Sequence, residues 1–229
     1  MVTVQGRKRA APSRSERTRL RIMLTAERLF GSQGINGPSM RHIAQAADQS
    51  NASVIQYHFD DRDNLIREIM NWRVLQMEPI RERMLKAAER SGLLQDLATL
   101  LRIICLPHLE LRDEDNRYPY SEFMLEFMMR YRGPAVSNHP FDYNPETVPN
   151  LVHTLGLIRD RLYYIDGEIV QRREMAVVVM VLQILISANE QGATEEELAY
   201  RVEDAILMGT HALMAPLPPT PGPLRIGDR

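Results

Sequence analysis

Apolar residues along this 229-residue chain recur three and four positions apart, in block after block. That spacing places them on one face of a helix, and no stretch alternates as a half-buried strand would. The pattern predicts an all-α protein without internal repeats. The first helix spans 15–31, with Ile22, Ala26, Leu29 and Phe30 on one face and Gly31 and Gly34 ending it. Longer blocks follow at 61–90, 93–109, 118–131, 148–164, 168–190 and 194–213. Asp61 can cap the first of these, and Pro79 should break or kink it, because proline lacks the backbone donor and clashes with the preceding turn. Thr194-Glu195-Glu196-Glu197 reads as a capping box opening the last. Four prolines between 132 and 150 predict an irregular loop, and the proline-rich 216–229 tail cannot be helical.

The most informative segment is 39–65. Met40, Ile43, Ala44 and Ala47 give a short helix one narrow apolar face, and Ser39 after Gly37-Pro38 can cap it. A break at Asp48-Gln49 precedes a second short helix, capped by Ser50 or Asn51 and running to about His58. Val54 and Ile55 of that helix face inward, leaving amides, hydroxyls and rings outward: Asn51, Ser53, Gln56, Tyr57 and His58. A short helix with such an outer face suits the major groove, where these groups meet base edges and phosphates. The segment reads as a helix-turn-helix, which makes duplex DNA the expected partner.

Charge changes the picture only when it is divided. The net charge of −2 does not suggest nucleic acid, yet residues 1–62 carry ten Arg/Lys against five acids. That end is therefore +5 and the remainder −7. A basic end on an acidic body fits one end approaching phosphates while the body serves another purpose. The single cysteine, Cys105, excludes an internal disulfide and fits a reducing compartment. No signal-peptide stretch opens the sequence, and the most apolar run, 175–186, is too short to span a bilayer. A cytoplasmic location is expected.

The run AERLFGSQGINGPSMRHIAQAAD, followed by QYHF and DDRDNLI, resembles the TetR family of transcriptional regulators over residues 15–65. The resemblance implies an all-helical homodimer in which three amino-terminal helices bind operator DNA. It also implies a divergent helical body that binds a small molecule and thereby releases the operator. Two departures are visible: Asp48 stands where many members carry glycine, and the segment from Gln49 to Gln56 holds one residue more than the commonest pattern. Carried over, the resemblance puts Ser39 and Arg41 on phosphate at the start of the second helix. Asn51, Ala52, Ser53 and Gln56 would face the groove, with Asn51 and Gln56 able to pair with adenine. Tyr57, His58 and Arg62 would meet phosphates, while Phe59 belongs to the core.

The organisation expected is a basic arm (1–14), a DNA-binding domain (15–62), an effector-binding and dimerisation domain (63–215) and a tail (216–229). Within the body, the 168–190 helix is apolar nearly all round and the last helix carries one apolar stripe. Together they suit a four-helix dimer interface. Val178, Leu182 and Leu185 are its candidates on the first helix. Leu198, Val202, Ile206, Gly209 and Leu213 are those on the second. A ligand pocket is expected among helices of 64–165. Candidate lining residues are Met70, Trp72 and Met77; Leu101, Ile104, Cys105 and His108; and Phe123, Met124, Phe127, Met128 and Tyr131. Methionines and aromatics at helical spacing also make ordinary core. Thirteen methionines nonetheless suit a wall for a greasy effector of moderate size.

Little else in the chain carries chemistry. Cys105-x-x-His108-x-Glu110 puts a thiol and an imidazole one turn apart, but two ligands do not make a metal site, and a core cysteine beside a satisfied histidine explains them. There is no GxSxG elbow, phosphate loop, dinucleotide fingerprint or HExxH, so neither an enzyme, a cofactor nor a metal is expected. Two readings remain: a ligand-responsive DNA-binding regulator, most simply a repressor, or a helical adaptor whose helix-turn-helix is structural.

Overall fold

The computed structural model describes residues 13–51, 53–130 and 145–218. The basic arm up to residue 12, Ala52, Tyr131, most of the expected 132–150 loop and the tail beyond 218 lie outside the described residues. Within them the chain is all helix: α1 (Arg14–Gln33), α2 (Met40–Ala46), α3 (Ser53–Phe59), α4 (Arg62–Arg90), α5 (Leu97–Cys105), α6 (Pro119–Arg130), α7 (Pro149–Arg161), α8 (Gly167–Glu190) and α9 (Glu195–Met214). A short 3-10 helix, Leu106–Glu110, follows α5.

Local chemistry explains most boundaries. Capping boxes open α1 at Ser13/Glu16 and α9 at Thr194/Glu197. Asp96 and Asp166 accept backbone N–H bonds at the starts of α5 and α8. The α5 helix therefore begins four residues later than its apolar pattern suggests, and it tightens into the 3-10 turn at Pro107. Gly34, at φ 80°, ends α1. Gly31 does not end it but lies inside α1, where a β-carbon would come within 2.9 Å of Glu122 Cβ on α6. Glycine there sets a close helix approach, not a stop. Pro79 also sits inside its helix: α4 runs through it, losing one backbone bond without ending.

The chain divides into two compact units. The first comprises Met1–Ile80 with Pro107–Pro149, and the second Arg81–Leu106 with Asn150–Arg229. The first unit is wider than the expected DNA-binding domain because α6 packs on α1. Phe30 meets Phe123 at 6.1 Å between ring centroids, and Tyr120 and Phe127 continue the same aromatic row. His108 is buried there, stacked on Tyr120 with its Nδ1 3.2 Å from Ser121 Oγ.

Through the same core runs a buried ion pair. Arg73 of α4 grips Glu27 of α1 with both ends of its fork, Nε to Oε2 at 2.7 Å and Nη2 to Oε1 at 2.6 Å. Its guanidinium also lies 4.5 Å from the Trp72 ring centroid and 6.0 Å from that of Tyr120. Burial pushes the Glu27 carboxyl upward in pKa, and the hydrogen bonds and charge of Arg73 oppose that shift.

In the second unit α8 and α9 pack along their length, with α5 against both. Gly209 allows this, since a β-carbon there would lie 2.5 Å from Val177 Cγ1. Arg102 of α5 pairs with Glu203 of α9, and Arg173 donates to the carbonyls of Leu213 and Ala215 at the end of α9. This packing corrects the expected dimer surface. Leu182, Leu185, Leu198, Val202, Ile206, Gly209 and Leu213 are all buried within the single chain, and only Val178 stays partly accessible. The apolar stripe of α9 faces α8 and α5. The outward apolar residues are others: Tyr200, Leu207, Met208 and Met214 of α9, with Val179, Met180 and Ile184 of α8 half-buried.

One buried group of this unit is poorly accommodated. Glu174 is 7% exposed, its Oε1 has no hydrogen-bond partner among the described residues, and burial raises its pKa to about 7 against the opposing charge of Arg159.

Two measurements follow from these buried charges. Glu27→Met leaves the Arg73 cation buried and unpaired and should cost about 3–5 kcal/mol in denaturant unfolding. Adding Arg73→Met should restore much of that loss, because the stranded charge is gone. For Glu174, the folded pKa lies above the unfolded value of 4.5. The unfolded state therefore releases its proton first, and this group's contribution to stability is full below pH 4.5 and lost as pH rises through about 7. Glu174→Gln should flatten that part of the stability–pH profile and stabilise the protein at pH 8 by about 3 kcal/mol at most.

Candidate nucleic-acid interface

The turn between α2 and α3 is built by capping at both ends. Ser39 Oγ accepts the His42 N–H at 3.1 Å to start α2. At the other end Gln49 N donates to Ala44 O at 2.9 Å and Asp48 N to Gln45 O at 3.1 Å, with Asp48 at φ 56°. That is a Schellman closure, whose left-handed position normally holds glycine. Here Asp48 occupies it, as its tolerance of that conformation allows. Asn51 Oδ1 then accepts the Ser53 N–H at 2.9 Å and opens α3.

Burial fixes the register of α3. Ile55 and Phe59, one turn apart, are fully buried, and Val54 is half-buried. Ser53, Gln56 and Tyr57 therefore face outward, Tyr57 at 82% exposure. A tyrosine ring so exposed beside two buried neighbours contributes nothing to the module's own core. His58 is intermediate, edge-on to Tyr57 with 5.1 Å between ring centroids. Burial first, then the charge of Arg19, hold its imidazole below the usual pKa. At neutral pH it is therefore an uncharged N–H donor.

Two arginines brace this helix from behind. Arg19 of α1 lies over the Phe59 ring at 5.2 Å and pairs with Glu68 of α4. Arg62, expected to meet phosphate, is turned inward. Its Nη1 donates to Ile35 O at 2.8 Å and its Nη2 to Pro38 O at 2.5 Å, with the guanidinium 5.9 Å from the Phe30 ring centroid. It ties the start of α4 to the loop before α2, a part the sequence did not reveal because carbonyl acceptors leave no pattern in side chains. Arg41 is exposed as expected, and Ser39 and Asn51 are exposed while serving as caps.

Met40, Ser53, Gln56, Asp60, Asp61 and Arg62 line an open cleft of about 410 Å³ between the start of α2, the outer face of α3 and the α3–α4 turn. Asp61 Oδ1 accepts the Asn64 N–H at 2.8 Å and so caps α4, as expected. The surface thus offers base-sized polar groups from α3 in a frame fixed by capping.

Residues 22–69 match the family model described as bacterial regulatory proteins, tetR family. The chain is a TetR-family transcriptional regulator. A Shewanella sp. PV-4 protein assigned to the same family is similar in fold, with 18% identity and a TM-score of 0.60 over 85% of this chain and 97% of that one. A Mesorhizobium loti MAFF303099 regulator matches at 18% identity and a TM-score of 0.41, over 89% and 98% of the two chains, a likeness too loose to argue from. No curated protein matches the chain. The TetR family comprises DNA-binding regulators, not enzymes. Among the described residues no group of three or more His, Cys, Asp or Glu could hold a metal, and no helix is long and apolar enough to cross a membrane.

The candidate pocket residues do not form one set. Met70, Met77, His108, Phe123, Met124, Phe127 and Met128 are buried in the first unit, with Trp72 half-buried. Leu101, Ile104 and Cys105 are buried in the second. Cys105 is no sensor thiol, because burial pushes its pKa to about 12 and keeps it protonated.

The turn offers a direct check. Asp48→Gly should relieve the left-handed strain and raise stability by about 0.5–1 kcal/mol. The Arg21 contact it removes, 3.7 Å between exposed groups, is worth little. Thermal unfolding of the pair of proteins measures the difference.

Proposed function

We propose that this regulator is a homodimeric repressor that reads paired operator half-sites with α3 and leaves them when a small, largely apolar molecule binds its helical body. The exposure of Tyr57, beside the inward-turned Ile55 and Phe59, is the observation that carries the DNA-reading surface. Gln56 and Ser53 are the candidate base readers. Asn51 and Ser39 join them at the edges, each with part of its hydrogen-bonding capacity already used in a cap. Tyr57, His58 and Arg41 are the candidate phosphate contacts, which set register without reading sequence. Arg62 supports them by holding the loop before α2.

Dimerisation is supported by the outer face of the α8–α9 pair. Tyr200, Leu207 and Met208 of α9 expose apolar surface at 75%, 45% and 51%, next to the half-buried valines, methionine and isoleucine of α8. A two-fold axis through that face would bury it against its own copy and pair two reading helices. Release then works through α4, which starts at the α3 turn and carries Trp72 and Met77. A ligand can move such an equilibrium only by its difference in affinity for the two arrangements, typically about 1–3 kcal/mol of coupling.

The test is an operator gel shift with substituted proteins. Tyr57→Ala should weaken binding to every duplex alike, whereas Gln56→Ala should lose about 1–3 kcal/mol at one base pair and relax preference there. Equal losses for Gln56→Ala on cognate and random duplex would remove it as a reader. A helical adaptor would bind neither duplex, and binding of the regulator should fall steeply with salt.

A further inference from the structure

Glu174 occupies the inner face of α8. It shares that face with Val170, Val177 and Val181, all buried, at the spacing of successive helical turns. One turn further on, Val177 meets Gly209, and Leu101 lies against the same point, so α5, α8 and α9 converge there. The surroundings are therefore apolar, and the carboxylate brings a charge into them.

Buried carboxylates normally sit on a partner. In the same chain Glu27 has both oxygens on Arg73, and Glu203 has both on Arg102. Glu174 has neither arrangement: its Oε1 is buried and unbonded, and the cation acting on it, Arg159 of α7, is exposed and forms no ion pair with it. The neighbouring Arg173 is occupied by the carbonyls of Leu213 and Ala215, and the charge of Arg81 acts on Cys105. A charge left in this state destabilises the fold at neutral pH and does no structural service. A missing donor accounts for it.

We propose that Glu174 is the recognition group of the effector site, and that the effector is a compact apolar molecule bearing one amine or amidine. This rests on the reading of the protein as effector-controlled and names the chemistry of what it binds. The apolar wall of valines and Leu101 takes the body of the molecule. Its N–H donors satisfy Oε1, and its positive charge offsets the desolvated carboxylate. A neutral greasy molecule would leave that oxygen unpaired, and a carboxylic acid would add repulsion, so the site discriminates by charge as well as by size.

Three probes of one shape test this on the full chain at pH 8: 4-phenylbutylamine, 4-phenylbutanol and 4-phenylbutyrate. Calorimetry should show the amine binding at least tenfold more tightly than the alcohol, and the carboxylate more weakly than both. Glu174→Gln should bring the amine to the level of the alcohol while leaving the alcohol unchanged. Glu174→Asp, which keeps the charge, should retain part of the preference and guards against a fold effect of the amide. Amine and alcohol binding equally to the unaltered protein, or a preference that survives Glu174→Gln, would overturn the role of Glu174 while leaving an effector site in place. Failure of all three to bind a protein that still shifts operator DNA would remove the effector site itself, and this proposal with it.

Discussion

The ion pair between Glu27 and Arg73 is the constraint on which the amino-terminal unit depends. It joins α1, which backs the reading helix through Arg19 and Phe59, to α4, which begins where that helix ends. An apolar contact would permit sliding along the interface. A bidentate fork does not, because each of its two bonds fixes a distance and a direction. Two further arginines act in the same sense: Arg62 anchors the first turn of α4 to the carbonyls of Ile35 and Pro38, and Arg19 anchors α1 to Glu68. Three cations of a formally basic module are thus committed to its interior. Its positive charge cannot all be counted as surface for phosphate.

That division explains what the sequence did and did not disclose. Helices declare themselves through periodicity and caps, so α1–α3 and the start of α9 were legible almost to the residue. The buried register of α3 was also legible, since Ile55 and Phe59 are the apolar pair one turn apart. Arg62 was misread because a guanidinium looks the same in sequence whether it meets a phosphate or a backbone carbonyl. Gly31 was misread for a similar reason: a glycine near a helix end suggests a stop, and only the approach of α6 reveals a packing role. Asp96 was overlooked as a cap because Leu93 and Leu94 before it continue the apolar pattern.

The dimer surface fails in a more instructive way. An apolar stripe on a terminal helix states that something covers it, but not whether the cover is another copy or the same chain. In α9 the regular stripe Leu198, Val202, Ile206 and Leu213 is covered by α8 and α5. The residues left outside, Tyr200, Leu207 and Met208, are irregularly spaced among charged ones and do not stand out in a periodicity analysis. Intramolecular packing has first claim on the best stripe, because helices joined by a four-residue turn meet at high effective concentration. A surface between copies is then assembled from the remainder, and such surfaces are mixed in composition.

Cys105 and Glu174 show how the same physical cause gives opposite functional weight. Both lie in the second unit, and burial raises both pKa values. For the thiol the shift takes it away from neutrality: the neutral form is the ordinary one, it packs as a small apolar group, and its burial costs nothing that a ligand could recover. For the carboxyl the shift brings it to neutrality, where the two protonation states are balanced and an approaching donor or cation tips them. A group is informative when its environment leaves it unsettled at the pH where the protein works, and by that criterion the lone cysteine, despite its chemical reputation, is silent, whereas an acid on a valine face is not.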